Sequence, residues 1–347
     1  MRYIYSEILN SLKTNQSSVL ATIISQRGTS PRGAGAKLLI MEDGALAGSV
    51  GGGILEKAVI DASSQVFSSG FPVRFNSDPG MSCGGDVEIF LEPVPPDNDL
   101  FSRIHKEIMD IIKRGGSGIL ATVTDTQFWK GSQSPKALFK LSGEVIGLLP
   151  NMEESKRIIM DGMQNFLETR RPGIIACNDA EGNELSVFIE PISSDPVLYV
   201  FGAGHVSLQV VPLARRVGFK VIVIDDRPEF ADPLNFPEAE KVLNYPFNDV
   251  VKRFQIDRSS YIVIATRSHS CDETVLGQAL RTDAGYIGMI GSRRKISTIY
   301  SNLLKEGFDK DDFDRVHSPI GIDIGAETPE EIALSIVSEL VKVRAAG

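Results

Sequence analysis

The stretch Glu7–Ile23, EILNSLKTNQSSVLATI, returns one hundred residues later as Glu107–Val123, EIMDIIKRGGSGILATV. Both segments place apolar residues at helical spacing and finish in a short apolar run, so each reads as a helix followed by a strand. Further along, Ala36-Lys37-Leu38-Leu39-Ile40 faces Lys136-Ala137-Leu138-Phe139-Lys140. A hairpin signal follows each, Glu42-Asp43-Gly44 and Leu141-Ser142-Gly143, and then another apolar strand. After a two-residue slip, Ile89-Phe90-Leu91-Glu92-Pro93 matches Val187-Phe188-Ile189-Glu190-Pro191. Each copy therefore reads helix, strand, loop, hairpin, helix, strand. Residues 1–97 and 101–193 are expected to pack as one α/β domain with pseudo-twofold symmetry.

The copies keep the apolar framework and differ in their loops. The first has Arg27-Gly28-Thr29-Ser30-Pro31-Arg32-Gly33-Ala34-Gly35 where the second has Gln127–Pro135. Gly51, Gly52 and Gly53 fall opposite Asn151, Met152 and Glu153, and Met81–Asp86 falls opposite Asp179–Glu184. Glycines needed only for the fold should recur in both copies, so those special to the first copy mark a site. The turn Gly48–Glu56 opens a helix at Gly53 or Ile54, where unpaired N–H groups and the helix dipole favour an anion. Taken alone it also reads as a tight turn whose glycines relieve crowding. Arg27, Arg32 and Lys37 would add positive charge suited to an oxyanion, or else be solvated loop charges. Cys83, followed by Gly84 and Gly85, reads as a reactive thiol: a nucleophile, sulfur carrier or soft-metal ligand. Cys177, after Ile174-Ile175, reads as core, and His105 as an exposed helix residue.

With 347 residues, 42% of them hydrophobic and 23% charged, the chain has the composition of a soluble globular protein of two or three domains. A net charge of −9 argues against a general nucleic-acid binder. No apolar run reaches the roughly 18 residues of a membrane span, and the N-terminus lacks a signal-peptide pattern. Three dispersed cysteines suit a reducing cytoplasm better than a disulfide framework.

Beyond the linker Ile192–Pro196, residues 196–347 change character. Val197–Phe201, Gly202-Ala203-Gly204-His205, an apolar-periodic helix and the strand Lys220–Ile224 ending in Asp225 give the strand, glycine turn, helix, strand and acid of a dinucleotide-binding unit. Ser207 stands where the third glycine of that fingerprint falls. Tyr261–Ala265, Tyr286–Ile290 and the intervening helices continue a parallel, doubly wound Rossmann-like sheet. Two loops follow strands on its ligand face, Thr266–Asp272 and Gly291–Lys295. His269 and Asp272 could pair or bind a metal, or be an ordered loop histidine and a helix N-cap. Ser292, Arg293 and Arg294 form a phosphate clamp at a helix start. On these features alone, an NAD(P)-dependent oxidoreductase and an interaction scaffold stay open, although no catalytic Tyr–Lys or His–acid pair stands out.

Several motifs in fixed order resemble the XdhC/CoxI family, the xanthine dehydrogenase accessory factors, over nearly the whole chain. They are Gly28–Arg32, Gly48–Glu56, Cys83–Gly85, Phe201–Val206, Thr266–Asp272, Ile290–Arg293 and Pro319–Glu331. The resemblance implies a protein that binds molybdenum cofactor, supports its sulfuration and delivers it to an apo molybdenum hydroxylase. It implies a cysteine desulfurase as second partner and a homodimer, while Gly202, Gly204 and Asp225 by themselves suggest a nucleotide such as NAD(P) in the C-terminal domain. The cofactor-binding residues would be Arg27, Gly28, Ser30, Arg32, Gly51, Gly52, Gly53, Glu56, Gly84 and Gly85, with Gly202, Gly204, His205, Asp225, His269, Asp272, Ser292 and Arg293 in the second domain. Cys83 would serve as metal ligand or sulfur relay. Ile54 stands where the family usually has a cysteine, and Arg267 where it usually has the first of two histidines.

Overall fold

The computed structural model describes residues 2–77, 85–96, 98–114, 116–130 and 134–346. The chain divides into two compact units, Met1–Ser194 and Asp195–Gly347. In the first, α1 (Arg2–Lys13), β1 (Ser18–Arg27), β2 (Lys37–Met41), β3 (Leu46–Gly48), α2 (Gly53–Ser69), β4 (Val73–Asn76) and β5 (Asp86–Val94) make one copy. Its duplicate is α3 (Asp99–Arg114), β6 (Ser117–Val123), β7 (Lys136–Lys140), β8 (Val145–Leu148), α4 (Met152–Thr169), β9 (Gly173–Asn178) and β10 (Glu184–Ser193). The two antiparallel sheets have matching orders, β3-β2-β1-β5-β4 and β8-β7-β6-β10-β9. The edge strands β4 and β9 are absent from the sequence-based scheme, because the four residues VRFN and the six residues GIIACN carry little period-2 signal.

Each sheet packs one face on its own copy's helix. Leu55, Val59 and Val66 of α2 meet Val19, Ala21 and Leu91, while Ile159 and Met163 of α4 meet Ile119, Ala121 and Ile189. The other faces share a core with α1 and α3, built from Tyr5, Ile8, Leu20, Leu39, Phe101, Ile108, Leu120 and Leu138. Phe90 of β5 and Trp129 add a contact between copies, their rings 5.5 Å apart.

Charge is buried where the copies meet. Lys37 Nζ lies 2.8 Å from Glu190 Oε1, and Lys136 Nζ lies 2.8 Å from Glu92 Oε1; all four side chains are at most 6% exposed. Thr22 faces Lys37 across β1–β2, and Thr122 faces Lys136 across β6–β7, so the two lysines are equivalent. One residue of the two-residue slip therefore falls in the first loop, and an ungapped comparison misaligns the lysines. Lys37 is thus not a site cation but half of a reciprocal pair joining the copies. Tyr5 and His105, equivalent on α1 and α3, meet at the same place with ring centroids 5.9 Å apart. Tyr5 donates its hydroxyl to Glu190 at 3.5 Å. His105 has no comparable reach: its Nδ1 bonds the Phe101 carbonyl at 2.8 Å, and both its Nε2 and Glu92 Oε2 lack a partner among the described residues. The expectation of an exposed His105 is overturned, since the residue is wholly buried. Burial, and after it the Lys136 charge, push its pKa down to about 3.

The second unit holds β11 (Val197–Phe201), α5 (His205–Arg216), β12 (Lys220–Asp225), β13 (Lys241–Asn244), β14 (Ser260–Ile264), α6 (His269–Ala279), β15 (Tyr286–Met289), α7 (Arg293–Lys305), β16 (Val316–His317) and α8 (Pro329–Ala346). Its six parallel strands run β13-β12-β11-β14-β15-β16, the doubly wound order that reverses between β11 and β14. Val210, Ala214, Ile336 and Leu340 of α5 and α8 cover one face, and Val275, Leu276, Ile299 and Leu303 of α6 and α7 cover the other. Short 3₁₀ turns, not helices, connect β12 through β13 to β14.

Lys136→Met should destabilise the chain by about 3–5 kcal/mol, because Glu92 is left charged and unpaired in the interior. Adding Glu92→Leu should recover most of the loss in urea unfolding. His105 gives a pH signature. It stays neutral in the fold down to about 3, whereas an unfolded histidine protonates near 6.5. Its contribution is complete above pH 6.5 and is lost as pH falls, at up to about 1.4 kcal/mol per pH unit. In His105→Tyr the stability slope below pH 6.5 should be shallower by that component; an identical slope would contradict a neutral His105.

Candidate functional site

The loops special to the first copy emerge from one end of its sheet. Strand pairing puts Arg27 beside Asp86, Thr22 beside Lys37, Leu38 beside Gly48 and Asn76 beside Glu88. The loop after β1, the turn after β3 and the segment leading into β5 therefore share an edge. Direct packing brings them closer. A Cβ on Gly85 would lie 2.5 Å from the Thr29 carbonyl oxygen and 2.7 Å from that of Arg27, so only glycine lets these segments meet. A Cβ on Gly51 would lie 3.8 Å from Pro31 Cβ.

The turn at Gly51–Gly53 does not offer all its N–H groups to a ligand. Glu56 folds back, and its Oε1 accepts from Ser49 Oγ at 2.5 Å, Gly52 N at 3.0 Å and Val50 N at 3.2 Å. Burial raises the Glu56 pKa, but these bonds outweigh it and hold the carboxyl below its usual range. Glu56 thus supplies the turn's own anion, and its role is to brace the glycines. What faces outward is different. Cβ atoms on Gly52 and Gly53 would meet nothing within 4 Å, and Ile54 is 66% exposed. Arg27, Gly28 and Arg32 are exposed, and no carboxylate among the described residues pairs with either arginine. Ser30 Oγ is buried without a hydrogen-bond partner among the described residues. Cys83 and Gly84 lie outside the described residues.

At the equivalent end of the second copy, the described residues engage one another. Asn151 caps α4 in the left-handed conformation and donates to Glu154 at 2.9 Å. The Asp179 carboxylate takes Glu181 N, Asn183 N and Asn183 Nδ2. Trp129 is buried with its indole N–H on the Val123 carbonyl. One shared glycine shows the contrast: Gly48 recurs as Gly147, and a Cβ on either would strike a lysine carbonyl within 2.3 Å. That glycine belongs to the fold, whereas Gly52 and Gly53 have no such neighbour.

In the second unit the predicted residues gather at the carboxyl ends of β11, β12, β14 and β15. Asp272 is wholly buried, accepting from Thr266 N at 3.0 Å and Thr266 Oγ1 at 2.6 Å, and it pairs with Lys295. It is neither partner of His269 nor N-cap; Ser268 caps α6. His205 and His269 are exposed first residues of α5 and α6. Ser292 caps α7 through Lys295 N, and Arg293 lines an open groove of about 510 Å³ with Tyr300, Ser318 and Pro319. No cluster of three or more His, Cys, Asp or Glu among the described residues could hold a metal ion. Among those residues no helix is long and apolar enough to cross a membrane. Lys295 was not among the sequence candidates; a lone lysine near the start of a helix carries no signal until the fold sets it against Asp272.

A duplicated antiparallel α/β unit followed by a six-stranded Rossmann unit defines the class. A model of the XdhC and CoxI family matches residues 11–76, and one of the XdhC Rossmann domain matches residues 198–340; the chain belongs to this family. A Bacillus subtilis protein, named as a probable subunit of xanthine dehydrogenase, is 26% identical, covering 96% of this chain and 95% of that protein. The Escherichia coli molybdenum cofactor insertion chaperone PaoD is 21% identical over 97% of this chain and 86% of its own length. The chain spans less than half of another Escherichia coli relative, YqeB, at 29% identity over the matched residues. A Bacillus halodurans crystal structure, described as a xanthine dehydrogenase, superposes with a TM-score of 0.78 at 26% identity, covering 98% of this chain and 95% of that one.

Gly85→Ala should cost about 1–3 kcal/mol, since its Cβ strikes backbone rather than a mobile side chain. Gly204→Ala, whose Cβ meets nothing within 4 Å, should cost less, no more than the N-cap preference for glycine over alanine of under about 1 kcal/mol. A melting comparison of the two variants tests the packing of the Arg27–Thr29 loop on Gly85.

Proposed function

We propose that this chain is an accessory factor that binds molybdenum cofactor through the first copy's loops, supports its sulfuration, and passes it to a xanthine dehydrogenase-type hydroxylase. The observation that carries the proposal is the contrast between copies, an open cationic end in one and a closed end in the other. Near full-length similarity to a molybdenum cofactor insertion chaperone supports it. The residues fit the group. Arg27 and Arg32 are placed to hold a phosphate-bearing tail through charge-assisted hydrogen bonds. Ser30 Oγ adds an unused donor, and Gly52, Gly53 and Ile54 leave room and an apolar contact for a flat pterin.

The cofactor itself supplies the molybdenum centre and its dithiolene. This chain's task is to bind, orient and shield it. Glu56 keeps the glycine turn fixed, which lowers the ordering cost of binding. Cys83 is the thiol assigned to the metal end or to sulfur relay on sequence grounds. A cysteine desulfurase would be the sulfur source, and the apo-hydroxylase the recipient.

The test is purification in the presence of released molybdenum cofactor, with bound pterin and molybdenum quantified. Wild type should retain both; Arg27→Ala with Arg32→Ala should weaken binding at least about a hundredfold, two charge-assisted contacts being worth about 3 kcal/mol or more together. Absence of cofactor on the wild type would overturn the proposal. Unchanged hydroxylase activation by Cys83→Ala would remove Cys83 from it.

A further inference from the structure

The second unit has the chain order of a dinucleotide-binding fold, in which the acid ending the second strand reads the ribose hydroxyls. Asp225 stands there, yet it is only 1% exposed. Its Oδ1 accepts from Arg227 N at 3.0 Å and Arg227 Nε at 2.9 Å. Its Oδ2 accepts from Arg227 Nη2 at 2.9 Å and Ala203 N at 2.7 Å. A carboxylate offers about four acceptor positions, and all four are used. The guanidinium is also held from outside, with its carbon 3.6 Å from the centre of the Phe230 ring. Burial pushes the Asp225 carboxyl up, but donation from Arg227 and the Ala203 amide outweighs it and keeps the group below the usual carboxylate range.

Other parts of the crevice agree. The loops after β11 and β14, which flank the reversal of strand order, are in contact. A Cβ on Gly202 would lie 2.1 Å from the Ala265 carbonyl oxygen, so this glycine serves backbone packing. Ser207, in place of the third glycine, uses its hydroxyl on the Gly202 carbonyl at 2.6 Å. Arg267 bonds Asp226 at 2.8 Å, linking the loops after β12 and β14. Only Gly204, whose Cβ would be free, keeps the openness a pyrophosphate needs.

We infer that Arg227, by occupying the Asp225 carboxylate, closes the ribose position, so that the Rossmann unit does not bind NAD(H) or NADP(H). A ribose diol would have to displace the half-buried Arg227 guanidinium from both oxygens of a buried carboxylate. The Asp225 carboxylate ties the end of β12 to the glycine turn after β11 through the Ala203 amide, Arg227 fills its remaining acceptor positions, and the unit acts as a rigid scaffold instead of a redox domain. The inference concerns the second unit alone and stands or falls separately from cofactor binding by the first.

Titration of the full-length protein with NADH and with NADPH, followed by nicotinamide fluorescence and calorimetry, tests it. Wild type should bind neither up to about 1 mM, on the scale of about −4 kcal/mol. Arg227→Ser frees the carboxylate and should bring NADH affinity up at least about tenfold, and adding Asp225→Asn should abolish that gain. Arg227→Lys, which keeps the charge without the fork, should give a smaller gain and serves if Arg227→Ser does not fold. Sub-millimolar binding by wild type that Asp225→Asn removes would overturn the inference. So would folded variants at Arg227 that gain nothing, because another feature would then close the site.

Discussion

The first unit depends on two buried ion pairs that each copy makes only with the other. Lys37 needs Glu190 and Lys136 needs Glu92, all from interior positions where an unpaired charge is strongly unfavourable. A single copy folded alone would have no partner for its lysine or its glutamate, and the face that carries them would be open to water. The ions thus do more to specify the pairing of copies than to raise stability. An apolar pair would pack as well, but would tolerate more than one register.

That arrangement is symmetric in charge and asymmetric in detail. Tyr5 reaches Glu190, while His105, shorter in the same place, leaves its own Nε2 and Glu92 Oε2 unmatched among the described residues. The same divergence, larger in scale, separates the loop ends. In the second copy Asp179, Asn151 and Trp129 satisfy the local polar groups and fill the space. In the first, Glu56 braces the turn from within, and no described carboxylate neutralises the arginines. Duplication supplied a framework held by both copies, and only one of them had to keep its loops closed.

The second unit shows how a fold can keep the outline of a nucleotide site without its chemistry. Gly202, Ser207 and Asp225 occupy the expected positions, but each is engaged with neighbouring protein atoms. Asp272 and Lys295 repeat the pattern between α6 and α7. Loops whose acids are already engaged by neighbouring protein groups are poorly suited to opening around a dinucleotide and well suited to holding a fixed surface.

The sequence by itself determined the duplication, the parallel second sheet and the family, because these rest on periodic apolar patterns and on motifs local in the chain. It also singled out the first copy's loops, since comparing two copies of one framework separates what folding needs from what it does not. It could not place Lys37, His105, Glu56 or Asp225 correctly. Each of these is polar, and a polar side chain's role is set by what lies within about 3 Å of it. For Lys37 and Asp272 the partners come from other elements, and for His105 the burial comes from α1 and the opposing sheet. Glu56 and Asp225 meet partners near in sequence, but only through the particular path of a turn. Tertiary structure decided which charges are spent inside the protein, and therefore which, Arg27 and Arg32 among them, stay exposed without a carboxylate partner among the described residues.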